Sequence, residues 1–128
     1  MIIKKFSLAV NIIFFIYYAI QLLVFTDEFA IKNLGFFNHA VAGLSEIIGI
    51  IFLSFSLGLI IIILTKIEGQ FPLMLTIFFI QFIISINFWR YVLTNSPGET
   101  DLQIITNNAI IFTIVSIISF YLLFISKK

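Results

Sequence analysis

Glu46 lies about two turns into an otherwise apolar stretch, NHAVAGLSEIIGIIFLSFSLGLIIIIL, residues 38–64. A carboxylate at membrane depth is costly and usually marks a partner or a task. His39, Gly43, Glu46 and Ile50 share one helical face by i, i+3/i+4 spacing. In a second apolar stretch, Asn87, Arg90, Tyr91 and Thr94 do the same. Placed by depth, Gln21, Arg90, Asn87, Glu46, Asn107 and Asn108 fall in the same half of the bilayer. The chemistry this suggests is an outward-facing polar pocket in which Glu46 pairs with Arg90, with His39, Asn87 and Asn108 around it. Burial raises a carboxyl pKa and an imidazole titrates near 6.5, so Glu46 and His39 are also candidate proton carriers.

Two simpler readings compete with the pocket. Counting back roughly 20 residues from Leu64, the hydrocarbon core begins near Ser45. Glu46 then sits at the interface and Arg90 snorkels to lipid phosphates. Alternatively, a Glu46–Arg90 bridge sets helix register and binds nothing. His39 by itself fits a helix start or the interface. Tyr17, Tyr18, Trp89 and Tyr91 read as interface anchors and packing. Gln21, Asn11 and Gln81 read as bridges between helices, with Gln81 near the middle of the bilayer.

These residues need apolar elements to position them, and the composition supplies little else. The 128 residues are 62% hydrophobic and 10% charged, against about 45–50% and 25% in soluble domains. A net charge of +1 without a basic run gives no reason to invoke nucleic acid. The absence of cysteine excludes disulfides, thiolate metal sites and cysteine nucleophiles, and the single histidine excludes a multi-histidine metal centre within one chain. Gly69-Gln70 and SPGET at 96–100 are turn chemistry.

The expected architecture is an all-α integral membrane protein: one domain over 1–128, an antiparallel bundle of four transmembrane helices with short loops. The spans are about 6–25, 38–64, 71–93 and 102–125. Each has the ~20 residues that a hydrocarbon core about 30 Å thick requires. The first is expected to be a retained helix rather than a signal peptide, because its apolar run is too long and TDEFAIKNLG offers no cleavage site. Residues 26–37 read as a polar connector and TKIEGQ as a tight turn. Small residues at Gly43, Ser45, Gly49, Ser54 and Gly58 in the second span, and a ridge of Ala109, Thr113, Ser116 and Ser119 in the fourth, invite close helix packing. Lys4, Lys5, Lys66, Lys127 and Lys128 fall on one side, five residues against Lys32 and Arg90 on the other. The positive-inside rule then expects a bacterial-type inner membrane protein with both termini cytoplasmic.

The region NLGFFNHAVAGLSEIIGIIFLSFSLG resembles the second helix of the DoxX-like four-helix membrane proteins. The matching positions are Leu34, Gly35, Gly43, Glu46 and Gly49, covering about a fifth of the chain, while the proline usual soon after Leu-Gly is absent. The resemblance implies four spans and a role as a subunit of a quinone-linked oxidoreductase or a redox and stress complex, with a quinone supplied through a partner.

Three functional expectations follow, the third of them a membrane enzyme or quinone-site subunit in which Glu46 and His39 carry protons and a partner supplies the electron chemistry. The first is an accessory or scaffold subunit of a larger membrane complex, with another membrane protein or a second copy as partner. The second is a small transporter or ligand-binding module using the polar pocket around Glu46 and Arg90.

Overall fold

Long apolar runs in a bilayer favour helices, because a helix satisfies its own backbone groups without water. A computed structural model of the protein describes residues 1–95 and 100–128, which form five helices and no strand. They are α1 (Ile2–Leu23), α2 (Thr26–Leu34), α3 (His39–Leu64), α4 (Phe71–Thr94) and α5 (Leu102–Ser126). All but α2 are long and apolar enough to cross a membrane. The four expected spans are therefore present, and the expected Pro97-Gly98 turn lies outside the described residues.

Boundaries follow local chemistry. Lys4 and Lys5 are absorbed into α1, since nothing in the first residues opposes a helix. Asn38 caps α3, its Oδ1 accepting from the Val41 N–H at 2.9 Å. Asp101 caps α5 in the same way, accepting from the Gln103 N–H at 2.9 Å. Pro72 occupies the first turn of α4, where its missing N–H costs nothing.

The stretch read as a polar connector is mostly helix. Asp27 and Glu28 stand in the first turn of α2 and Lys32 in its last, complementing the helix dipole. Gly35 ends it in the left-handed region at φ 80°, its N–H bonded to the Ile31 carbonyl at 3.0 Å.

The long helices pair as α1 with α3 and α4 with α5, and α1 packs on α5 to join the pairs. Neighbours thus run α3–α1–α5–α4. Accordingly 44% of the apolar window is buried in α1 and α5, against 28% in α3 and 22% in α4. In lipid such packing is driven by close van der Waals fit rather than by water exclusion. At its centre Phe14, Tyr18 and Phe112 interlock, with Phe112 4.9 Å from each of the other two rings, and Phe15 meets Phe52 edge-on at 5.3 Å.

Both termini and the α3–α4 turn meet at one end. Lys4 Nζ bonds Glu68 Oε1 at 2.8 Å, and the Gly69 N–H bonds the Ser126 carbonyl at 3.1 Å. Gly69 adopts φ +86° there, and Ile67 tucks into the core. Lys4 holds the Glu68 carboxyl below its ordinary range, chiefly through that side-chain hydrogen bond. We call this the basic end and its opposite the α2 end, after the helix that covers it.

Candidate functional site

Among the described residues, three sets of polar side chains bond between helices inside the bundle. Nearest the basic end, Asn11 of α1, Gln81 of α4 and Ser119 of α5 converge, all essentially inaccessible. Gln81 Nε2 donates to Asn11 Oδ1 at 2.7 Å, and Ser119 Oγ lies within hydrogen-bond reach of both Asn11 Oδ1 and Gln81 Oε1. A hydroxyl has one proton. Because Asn11 Oδ1 already accepts from Gln81, donation from Ser119 to Gln81 Oε1 satisfies every group. Asn11 Nδ2 closes the set on the Ser7 carbonyl at 3.0 Å. The expectation that Asn11 and Gln81 bridge helices is met in one contact.

Between α4 and α5, Thr113 Oγ1 lies 2.8 Å from both Ser85 Oγ and Trp89 Nε1 and donates to the Ala109 carbonyl at 2.7 Å. Trp89 is thus tied to α5 as well as placed near the interface.

The third set stands at the α2 end. Buried Tyr18 donates its hydroxyl to Asn108 Oδ1 at 2.6 Å. Asn108 Nδ2 donates to Asn33 Oδ1 at 2.6 Å, and Asn33 Nδ2 donates to the Phe29 carbonyl at 2.9 Å. This relay binds α1, α5 and α2 together. Its Asn33 and Asn108 also line a cavity of about 580 Å³ between those helices, within the range of small-molecule sites, about 300–1,000 Å³.

Each wall has its own chemistry. From α1 come Tyr17 and Gln21, from the α1–α2 connection Phe25, and from α2 Glu28, Phe29, Lys32 and Asn33. α5 adds Asn107 and Asn108 beside Ile104, Ile110 and Ile111. Asn107 Oδ1 accepts from Gln103 Nε2 at 3.0 Å, which leaves its N–H groups to the cavity. Among the described residues Gln21 makes no side-chain hydrogen bond, so its donor and acceptor are both available. The arrangement suits reversible recognition by hydrogen bonds, one cation and one anion against an apolar wall.

The five residues singled out by sequence are spread over three places. Asn108 lines the cavity. Arg90 and Asn87 come together, Arg90 Nη2 donating to Asn87 Oδ1 at 2.9 Å, with the guanidinium 5.0 Å from the Tyr91 ring centre. His39 and Glu46 lie exposed on α3, at the far side of the helix row from α4. Glu46 and Arg90 do not pair; among the described residues the ion pair is Lys4–Glu68.

Helix register gives the reason for Glu46. Gly49 packs against Leu22 and Leu23, where an added Cβ would meet Leu23 Cγ at 2.7 Å. Glu46 is three residues nearer the α2 end, roughly 4.5 Å along the axis, which sets it level with the start of α2. Glu46 therefore stands about two turns from the α2 end of α3, and Arg90 about one turn from the end of α4.

Sequence reasoning missed the α2 contribution: Glu28, Lys32 and Asn33. Its signal was legible in acids, then lysine, then glycine across TDEFAIKNLG. The link of Tyr18 to Asn108 had no sequence signal beyond the need of a buried hydroxyl for a partner.

Fold and site together define a multi-pass, all-helical membrane protein with a cavity bordered by the short helix α2. No family model, curated protein or solved structure matches the chain.

Proposed function

We propose that this protein is a ligand-binding membrane module whose site is the α1–α2–α5 cavity. The observation that carries this reading is the cavity itself, lined by the hydrogen-bonded pair Asn33 and Asn108 and by the available groups of Gln21 and Asn107. Pre-organised polar groups on rigid helices bind at little ordering cost. The positive-inside rule supports placing the α2 end outside a bacterial-type inner membrane and both termini in the cytoplasm.

The test is purification in native nanodiscs followed by mass spectrometry of retained small molecules. A molecule retained by the wild type and by Glu46→Gln and Arg90→Gln, but lost from the cavity-filling variant Asn107→Trp, supports the site. Retention in Asn107→Trp overturns it.

A second reading, an accessory subunit of a larger and possibly quinone-linked assembly as the DoxX-like resemblance implies, is favoured by one feature of α3. Ser54 and Gly58, one turn apart, and Gly43 two turns beyond Ile50's level lie on the side turned away from α1. Small residues on a lipid-facing stripe admit a further helix. A stoichiometric protein partner that dissociates on Gly58→Leu supports this reading; its retention counts against it.

A further inference from the structure

We infer that the occupant of the α1–α2–α5 cavity is a phospholipid whose headgroup carries both a phosphate and an ammonium group, an inference that rests on the reading of that cavity as a ligand site. Glu28 and Lys32 stand one turn apart on α2 and both line the cavity. Glutamate four residues before lysine is the spacing that favours an intrahelical pair, yet these two are not paired with each other; the ion pair among the described residues is Lys4–Glu68. The cavity wall therefore presents one anionic and one cationic group, each available to a ligand.

A headgroup bearing both charges meets that wall. Its phosphate oxygens accept from Lys32 Nζ and from the carboxamide N–H groups of Gln21 and Asn107, and its ammonium donates to the Glu28 carboxylate. A neutral ring headgroup leaves both protein charges uncompensated. A headgroup with phosphate alone sets a like charge near Glu28.

The apolar side of the cavity supplies the place for acyl chains. Tyr17 and Ile110 form its edge on α1 and α5. One turn deeper on each helix, Ile13 and Ile114 are 67% and 53% exposed to the bilayer. The surface thus changes from charged at the α2 end to apolar toward the middle of the span, the polarity gradient of a lipid lying with its headgroup at the interface. The i to i+4 continuity on both helices makes the apolar strip an extension of the cavity rather than a separate patch.

The experiment is native mass spectrometry of the delipidated full-length protein titrated with dioleoyl phosphatidylethanolamine, dioleoyl phosphatidylglycerol and a short-chain ubiquinone. The expected result is a one-to-one phosphatidylethanolamine adduct at concentrations about tenfold below those needed for phosphatidylglycerol, the scale of one charge-assisted contact. Glu28→Gln removes that preference, Lys32→Gln weakens both phospholipids, and Glu46→Gln and Arg90→Gln leave the titration unchanged. Equal binding of the two phospholipids, or a preference that survives Glu28→Gln, overturns the headgroup assignment. So does ubiquinone binding that phosphatidylethanolamine does not displace. In those cases loss of the bound species in Asn107→Trp, with an unchanged melting temperature, still upholds the cavity as a ligand site. Adducts of all three classes that persist in Asn107→Trp overturn the cavity reading as well.

Discussion

Asn11, Gln81 and Ser119 show what a polar side chain inside a membrane bundle requires. Each of their side-chain nitrogens and oxygens has a partner within the chain, and no buried side-chain nitrogen or oxygen among the described residues lacks one. Removing one member leaves the others in a site that water does not reach. Gln81→Leu is expected to cost about 1–2 kcal/mol, and Asn11→Leu a similar amount. The double variant is expected to cost less than the sum, because neither change then strands the other's partner. Reversible unfolding in mixed micelles measures this as a double-mutant cycle; strict additivity would show that the contact carries no coupling. At the basic end, the Glu68 carboxyl is held below the ordinary glutamate value of 4.5. A depressed carboxyl contributes stability above its unfolded value and loses it as pH falls through the lowered folded value. Glu68 should therefore titrate below 4.5 in carbon-13 NMR, and Lys4→Gln should return it toward that value.

At the scale of elements, the glycines of α3 divide by face. Gly49 lies against α1, where an added Cβ meets Leu23 Cγ at 2.7 Å and Leu22 Cβ at 3.0 Å. Gly43 and Gly58 have open space at the same position. Gly49→Val is expected to destabilise by about 1–3 kcal/mol through overpacking, whereas Gly43→Ala and Gly58→Ala stay within about 0.5 kcal/mol. Melting temperatures of the three variants in one detergent decide the matter. The short helix α2 matters in a different way. Of its nine residues Thr26 and Ala30 are buried and Phe29 is half-buried against the core, and the Asn33–Asn108 contact ties it to α5. Asn108→Leu removes the partner of both Tyr18 and Asn33. Amide exchange across α2 should quicken in that variant while α3 stays protected; equal protection in α2 would show that the relay does not hold it.

At the scale of the molecule, the order α3–α1–α5–α4 decides which faces meet. It places α1 and α5 between flanking helices, gathers two polar sets where α1 meets α5 and a third between α4 and α5, and leaves Glu46 and Arg90 on opposite flanks. The basic end is clasped by Lys4–Glu68, by the backbone bond from Gly69 to Ser126, and by Lys127 over the Phe71 ring at 5.2 Å. Because the chain lacks cysteine, its orientation can be read with introduced thiols. With the termini inside, Asp27→Cys should react with an impermeant maleimide on intact cells and Lys128→Cys only after lysis. The reverse pattern would invert the topology.

Architecture was legible because hydrocarbon thickness sets the length of a span and lipid forbids an unpaired backbone; four apolar runs of the right length admit few other folds. Local chemistry also read through: the Gly69 turn and the bridging role of Asn11 and Gln81. The α2 helix is written in TDEFAIKNLG as acids, then lysine, then glycine, but its low apolar content hides it from a reading by hydrophobic runs. The site was different. Depth along a helix can be counted from sequence, but two groups at the same depth touch only if their helices are neighbours and their faces turn together. Glu46 and Arg90 shared a depth and Tyr18, Asn33 and Asn108 shared a seam, and only helix order, set by the packing of Gly49 on α1 and of Phe112 between Phe14 and Tyr18, could tell the two cases apart.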